Sequence, residues 1–259
     1  MSTVPTPRFL RRRALLAALG LGAAFGRAAA ASRVTIDGGV PQRLALSAIA
    51  ELELDVPASI DGDPVELAVL TLGSLEVRSG RLVAADGLLL DGQPFTPVIA
   101  PGRYPLQLVL ARLADDDERV AFVQLKLAPG RAVTWSNATT EDPTDEDTDE
   151  QDMEGYDADS GTGCLFDAAA INSYRQQLAT DNDVYRNLEN VLRSHRRPTW
   201  TWARIRTDMG SGFIFTSGYG DGYYGSYWGR DEGGAIVSLV TDFELLDWAG
   251  LPSEPDVTT

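Results

Sequence analysis

Several aspartates are placed where they could do chemistry. Asp221 and Asp231 stand at two glycine-rich turns of the stretch Ser217–Gly234, SGYGDGYYGSYWGRDEGG. Asp86, Asp159 and Asp167 could converge on them if two halves of the chain pack together. Two carboxylates flanking a sugar bond are the working parts of most glycosidases, one giving a proton and the other acting as base or nucleophile. Asp221, Asp86, Asp159 and Asp167 are therefore the catalytic candidates, with an envelope polysaccharide as the substrate. Each also has a competing structural use. Asp221-Gly222 and Asp231 are hairpin-turn chemistry, and Asp167 stands where a helix N-cap is expected.

A second chemistry is recognition. The same stretch packs five aromatic rings and seven glycines into eighteen residues. Rigid amphipathic rings suit a face that binds a protein or a glycan. The ligand-binding candidates are Asp221, Tyr224, Tyr227, Trp228 and Arg230, with Tyr219, Tyr223, Trp200 and Trp202 as further rings. Strict strand alternation would send about half of these rings inward. Asp157-x-Asp159-x-Gly161 opens like a calcium loop but lacks the later oxygen ligands and the closing glutamate, so no metal is expected. Cys164 is the only cysteine and His195 the only histidine. One thiol forms no internal disulfide, and most histidine-dependent zinc and triad chemistry lacks its parts. Cys164 reads as a small buried hydrophobe and His195 as a helix C-terminal residue. No cofactor is implied.

The whole chain carries a formal charge of −16 over 259 residues. Five arginines lie in its first 31 residues. Arg8 and Arg11-Arg12-Arg13 lead into the apolar run Ala14–Phe25, and Arg27 precedes the small residues Ala28–Ser32. This reads as an export signal over residues 1–31, with Arg12-Arg13 fitting the twin-arginine route better than the general secretory one. The expected location is periplasmic or extracellular, with the membrane met only through the signal. Without the leader, 38 acidic residues face 17 basic ones, or −21. A chain so acidic is repelled by nucleic acid and by anionic lipid, so neither is an expected partner.

The positioning elements read as strands. Val65–Val77 (broken at Gly73-Ser74), Arg81–Ala85, Phe95–Ile99, Tyr104–Leu113 and Arg119–Leu127 follow one another with turns at Pro101-Gly102 and Asp115–Glu118. Arg33–Ile36 could be a short strand. Gln42–Glu53 could be a helix or a strand, because its apolar run does not decide the period. Residues 141–159 hold eleven acidic residues in nineteen, a composition that cannot offset its ordering entropy. The stretch 137–158 is thus expected to be a flexible acidic loop between a β half at 65–136 and a second half at 159–248. That second half opens with helices over Ala168–Leu178 and Val184–His195, capped by Asp167 and Asp181, a helical insert near 168–198. Trp200–Thr207 alternates like a strand, and Phe213–Gly218, Tyr223–Arg230 and Ala235–Leu246 form a meander. Residues 249–259 are a polar tail. One domain over 32–248 results, mainly β (α+β), with antiparallel sheets as a sandwich or barrel.

The halves share a pattern. Ser79-Gly80 is followed by Asp86, and Ser160-Gly161 by Asp167, at identical S-G-x5-D spacing. Each is followed by G-x-Y (Gly102-Arg103-Tyr104 and Gly222-Tyr223-Tyr224), then by an acidic turn and a β run. The chain therefore reads as two divergent copies of one β unit, with Asp86 and Asp167 expected at equivalent strand ends. The segments LGSLEVRSGRLVAADG (Leu72–Gly87), PFTPVIAPGRYPLQLVLA (Pro94–Ala111), ERVAFVQLKL (Glu118–Leu127), DADSGTGCLFD (Asp157–Asp167) and Ser217–Phe243 resemble the bacterial family called domain of unknown function 4241. The resemblance implies one integrated domain over Leu72–Leu246 and supplies no activity to carry over. Three functions remain open: a non-enzymatic domain binding a protein or glycan, which the pattern favours; a carboxylate-dependent hydrolase; and a neutralising partner of a basic toxin.

Overall fold

Alternating apolar residues bury one side of a strand, while continuous apolar runs bury both. Both patterns occur here, and the fold uses each. The computed structural model describes residues 35–37, 58–113, 117–141 and 155–246, all within one compact unit, Ser32–Thr259. The expected leader, the segment Gln42–Glu53, the tail 249–259 and residues 142–154 of the acidic stretch lie outside the described residues.

A five-stranded sheet holds, in spatial order, β1 (Thr35–Asp37), β11 (Trp202–Thr207), β12 (Gly210–Thr216), β10 (Thr162–Asp167) and β5 (Leu82–Asp86). A seven-stranded sheet holds β4 (Glu66–Val77), β6 (Gly102–Arg112), β7 (Glu118–Lys126), β14 (Ile236–Asp242), β13 (Tyr223–Arg230) and β8 (Thr134–Asn137), with β9 (Gly155–Asp157) also paired to β13. A small hairpin joins β2 (Ser59–Ile60) to β3 (Asp63–Pro64). All pairings are antiparallel, and no closed barrel forms among the described residues. The fold is a mainly β sandwich of the α+β class.

Between the sheets lies the main core, with Leu82, Ala84, Leu165, Trp202, Phe213 and Phe215 facing Leu75, Leu106, Leu108, Val123, Leu125 and Trp228. The other side of the five-stranded sheet is also apolar and takes the helices α1 (Ala168–Thr180) and α2 (Asn182–Ser194). Strand β11 shows the alternation directly. Trp202 enters the inter-sheet core, while Ala203 and Ile205 meet the helices.

The two halves are related by an approximate two-fold axis that the pairing registers define. Strands β5 and β10 pair about Ala84–Leu165, so that Asp86 faces Gly163 and Asp167 faces Leu82. Strands β7 and β14 pair about Gln124–Val240 in the same way. Strand β6 corresponds to β13, and both carry a register shift at the equivalent point, Val109/Leu110 and Gly229/Arg230. Tyr104 and Tyr224 each donate a hydroxyl hydrogen bond to the carbonyl four residues back, Ala100 (2.5 Å) and Gly220 (2.9 Å). The G-x-Y glycine is needed because the ring folds over it. A Cβ on Gly222 would lie 2.7 Å from Tyr224 Cζ, and one on Gly102 3.1 Å from Tyr104 Cζ.

Two features differ from the expectation. Phe95–Ile99 is not a strand; only an isolated bridge joins Phe95 to Thr140, and the prolines on either side, Pro94 and Pro97, bring no N–H to a ladder. Within the stretch expected to be flexible, Gly155–Asp157 is strand β9, held by backbone pairing to Tyr223–Gly225. Together β8 and β9 form the counterpart of the single strand β4. Thr71 pairs Gln107 as Asn137 pairs Tyr227, and Ser74 pairs Pro105 as Gly155 pairs Gly225. The register shift between Thr71 and Gly73 in β4 thus marks the point where the second half inserts residues 138–154.

The S-G-x5-D motifs clamp the halves to each other. Asp86 Oδ1 accepts from the Leu88 and Leu89 N–H groups (2.7 and 2.9 Å) and from the Ser160 hydroxyl (2.8 Å), and Oδ2 from the Ser160 N–H (2.7 Å). Asp167 Oδ1 caps α1 through Ala169 and Ala170 (2.9 and 3.2 Å). Its Oδ2 accepts from the Arg78 N–H (2.9 Å) and from the N–H and hydroxyl of Ser79 (2.8 and 2.7 Å). Each aspartate holds the serine of the other half. Both glycines after the serines take left-handed φ, +77° at Gly80 and +64° at Gly161, which turns the chain back toward the clamp. Asparagine in place of either aspartate turns an amide N–H2 toward these donors, so Asp86→Asn and Asp167→Asn should each cost about 3 kcal/mol in denaturant unfolding. Losses below about 0.5 kcal/mol would show that the clamps are incidental.

Candidate functional site

The carboxylates expected to converge divide into two kinds. Asp86 and Asp167 are fully buried, and their oxygens are taken up by the clamps. Asp159 and Asp221 are exposed and adjacent. Asp159 lies in the tight turn Ala158–Gly161, closed by a 3.0 Å hydrogen bond from the Gly161 N–H to the Ala158 carbonyl. Asp221 reaches over that turn, its Oδ1 only 3.6 Å from where a Cβ on Gly161 would stand. The Ala158 N–H donates to the Gly222 carbonyl (2.8 Å) and fixes the two segments side by side. Asp157, also exposed, is registered opposite Tyr223 on β13. None of these three carboxylates has a hydrogen bond or ion pair to another described residue.

The aromatic display is smaller than the sequence suggests. Trp228 is 1% exposed and packs edge-on against Phe95, ring centroids 5.8 Å apart. Tyr224 is in the core as well, perpendicular to Phe243 at 5.0 Å. Both were expected to face a ligand; alternation along β13 instead turns them toward the five-stranded sheet. Tyr227 points to the opposite side and is half-buried there. Arg230, half-buried, donates to the Gly234 carbonyl (3.0 Å) and braces its own hairpin. Asp231 closes the same hairpin by accepting from the Gly233 and Ala235 N–H groups, each at 2.9 Å. The rings that do face outward are Tyr219, 61% exposed, and Tyr223, 37% exposed. Tyr219 carries the Arg119 guanidinium over its ring at 5.2 Å, and the Tyr223 hydroxyl accepts from the Gly155 N–H (2.8 Å).

Asp157, Asp159, Asp221, Tyr219 and Tyr223 therefore share one end of the second half. The two-fold relation supplies an internal control. The first half places Glu76, Arg78, Pro101 and Arg103 where the second has Asp157, Asp159, Asp221 and Tyr223. The backbone is the same, whereas the charge is opposite at the Asp159 position. Among the described residues no group of three His, Cys, Asp or Glu side chains is arranged to hold a metal ion. Such an end can pair with cations that bring their own geometry, such as the arginines and lysines of another protein.

Cys164 sits under the helices, 1% exposed, and burial pushes its thiol far above the ordinary range. His195 ends α2 as expected, with Nδ1 3.0 Å from the Val191 carbonyl. Two measurements check these placements. Trp228→Ala should cost about 3–5 kcal/mol of stability, and Tyr219→Ala less than about 1 kcal/mol; the reverse order would return Trp228 to the surface. Cys164 should resist a maleimide at neutral pH until the protein is unfolded, and labelling of the native protein at a free-thiol rate would contradict its burial.

Residues 75–241 match the model of a family described as "Protein of unknown function (DUF4241)". No curated protein and no solved structure matches the chain. The matched span runs from the end of β4 to the end of β14. It takes in both S-G-x5-D motifs, both G-x-Y turns and the helical insert. The two-copy sandwich is thus the family's own region of this chain, which belongs to the DUF4241 family.

Proposed function

We propose that this protein is an exported binding domain without catalytic activity, which engages a positively charged protein through the end formed by Asp157, Asp159, Asp221, Tyr219 and Tyr223. One observation carries the reading: three carboxylates with no ion pair among the described residues and two exposed tyrosines are gathered at one end, where the two-fold counterpart has Glu76 paired with Arg78 and, in the other places, Pro101 and Arg103. Carboxylates recognise arginine and lysine, and tyrosine adds apolar contact with little conformational entropy to lose. The net charge of the chain without its leader steers basic partners toward it, so association should be fast and salt-sensitive. A basic secreted toxin is one partner of this chemistry.

A hydrolase would ask for a carboxyl kept protonated near neutral pH, which burial achieves. Here the buried carboxylates are committed to the clamps, and the free ones face water. That favours binding. Export rests on the leader, where Arg12-Arg13 precede an apolar run too short to span a bilayer.

The test compares the mature chain with its Asp157→Asn, Asp159→Asn, Asp221→Asn triple variant as baits in an envelope extract. The native bait should retain basic proteins that are released as salt rises, and the triple variant should lose them. Identical retained sets for the two baits would sink the proposal. Replacing Arg12 and Arg13 with lysine should leave the chain in the cytoplasm, and unchanged export would point to the general secretory route.

A further inference from the structure

The end of the sandwich that carries the free carboxylates also carries basic charge. Arg193 stands in the last turn of α2, and Arg196 and Arg197 follow its C-cap, His195. All three are exposed, and none has a side-chain hydrogen bond or ion pair among the described residues. Positive charge suits a helix C-terminus, which accounts for Arg193, but Arg196 and Arg197 lie beyond the helix. Other arginines are engaged: Arg81 with Glu141, Arg112 with Glu66 and Arg119 with Asp117. A chain of 38 acidic and 22 basic residues thus keeps three guanidinium groups together and uncommitted.

Backbone hydrogen bonds fix these arginines relative to the acid-and-tyrosine end. The Arg197 N–H donates to the Trp200 carbonyl (2.8 Å), so the loop between α2 and β11 turns back on itself. The carbonyl of Thr201, its last residue, accepts from the Thr216 N–H (3.1 Å), and the next residue, Ser217, donates to the Gly161 carbonyl (3.2 Å). Three loops therefore lie side by side across one end of the five-stranded sheet. The arginine loop comes first, then 217–222 with Tyr219 and Asp221, then 158–161 with Asp159. Tyr219 is in the middle of this row. The Arg119 guanidinium lies over its ring, and the preceding residue, Glu118, accepts from Trp200 Nε1 (3.1 Å), which ties the centre of the row to the arginine loop. Even so, Tyr219 remains 61% exposed.

A row that runs from cations through an aromatic ring to carboxylates is self-complementary. Turned by half a rotation about an axis near Tyr219, its arginine side meets the acid side of a second copy, and its acid side meets that copy's arginines. We propose that two copies of this chain associate through this end as a two-fold dimer, with Arg193, Arg196 and Arg197 of each facing Asp157, Asp159 and Asp221 of the other. The proposal rests on the reading of the acid end as a cation-binding surface and adds its regulation: the dimer covers that end, so a basic partner competes with the second copy. Exposed ion pairs are individually weak, and the net negative charge of each copy repels the other. At physiological salt, charges more than about 8 Å apart are screened, whereas pairs partly buried in a contact are screened less. The dimer is therefore weak enough to be displaced.

Sedimentation equilibrium of the mature chain at physiological salt tests the proposal. Dimer should form by about 100 μM chain and dissociate in about 1 M salt. Two charge-reversed triple variants, Arg193→Glu, Arg196→Glu, Arg197→Glu and Asp157→Arg, Asp159→Arg, Asp221→Arg, change exposed positions only. Each should keep the native circular dichroism spectrum and be monomeric. Mixed in equal amounts they should form a heterodimer, because every contact again joins opposite charges, and this recovery separates complementarity from damage to either fold. A native chain that stays monomeric at about 1 mM, a mixture without heterodimer, or growth beyond the dimer would overturn the proposal. The acid end's own binding is read separately. The arginine-to-glutamate variant keeps the carboxylates, so as bait in the envelope extract it should retain the basic proteins that the native chain retains. That retention beside a monomeric native chain would overturn the dimer and leave the cation-binding reading standing.

Discussion

Two buried carboxylates keep the halves of this molecule in register. Asp86 and Asp167 finish the two neighbouring strands β5 and β10 of the five-stranded sheet, and each is held by the Ser-Gly turn of the other half. A buried carboxylate is costly unless its oxygens are taken up by donors. Here each carboxylate takes two backbone N–H groups from the residues that follow it, and its remaining donors, the Ser160 N–H and hydroxyl for Asp86 and the Arg78 and Ser79 groups for Asp167, come from the partner half. The two halves therefore cannot fold to their final geometry separately. The second sheet repeats the constraint through the β7–β14 pairing, so one axis organises both layers.

The clamps also explain which parts of the fold were legible in the sequence. The S-G-x5-D spacing shows twice because the clamp needs a short side-chain acceptor at a strand end and a left-handed glycine after the serine, and few residue types meet both demands. The helices were legible from Asp167 and Asp181, which cap α1 and α2 as read. Strands β8 and β9 were not, because together they replace one long strand and an acidic insertion separates them. Composition reports the insertion, whereas pairing to β13 fixes its ends, and no local signal in Gly155–Asp157 announces a partner far along the chain.

The candidate site shows the same division between local and long-range information. A stretch dense in tyrosine and glycine suggests a display surface. Its glycines instead make room for rings. Gly222 lies under Tyr224, and a Cβ on Gly229 would stand 2.8 Å from the Trp135 ring. Trp228 and Tyr224 are then free to fill the inter-sheet core. The outward-facing members, Tyr219 and Tyr223, could be separated from the inward ones only once the register of β13 was known. Asp221 stands out in the sequence at a glycine-rich turn and Asp159 as a carboxylate that could converge on it; their neighbour Asp157 shows only a calcium-loop spacing.

Where the halves differ shows where the chain was free to change. The acidic stretch enters at the point where β4 merely shifts register, and the helical insert enters where the first half makes a short turn after Asp86. The helical insert follows a clamp aspartate that both halves keep, and the acidic stretch lies between ladder positions whose pairing is kept while their residues differ. A duplicated fold of this kind tolerates long insertions because the entropy of a longer loop grows slowly with its length, while the cost of losing a clamp is immediate. Charge diverged under the same rule. Arg78 and Asp159 occupy equivalent exposed positions with opposite signs, yet each sits immediately before a clamp serine whose backbone is fixed. The scaffold is thus conserved between the halves by hydrogen bonds, and the difference in chemistry is confined to side chains that those hydrogen bonds leave free.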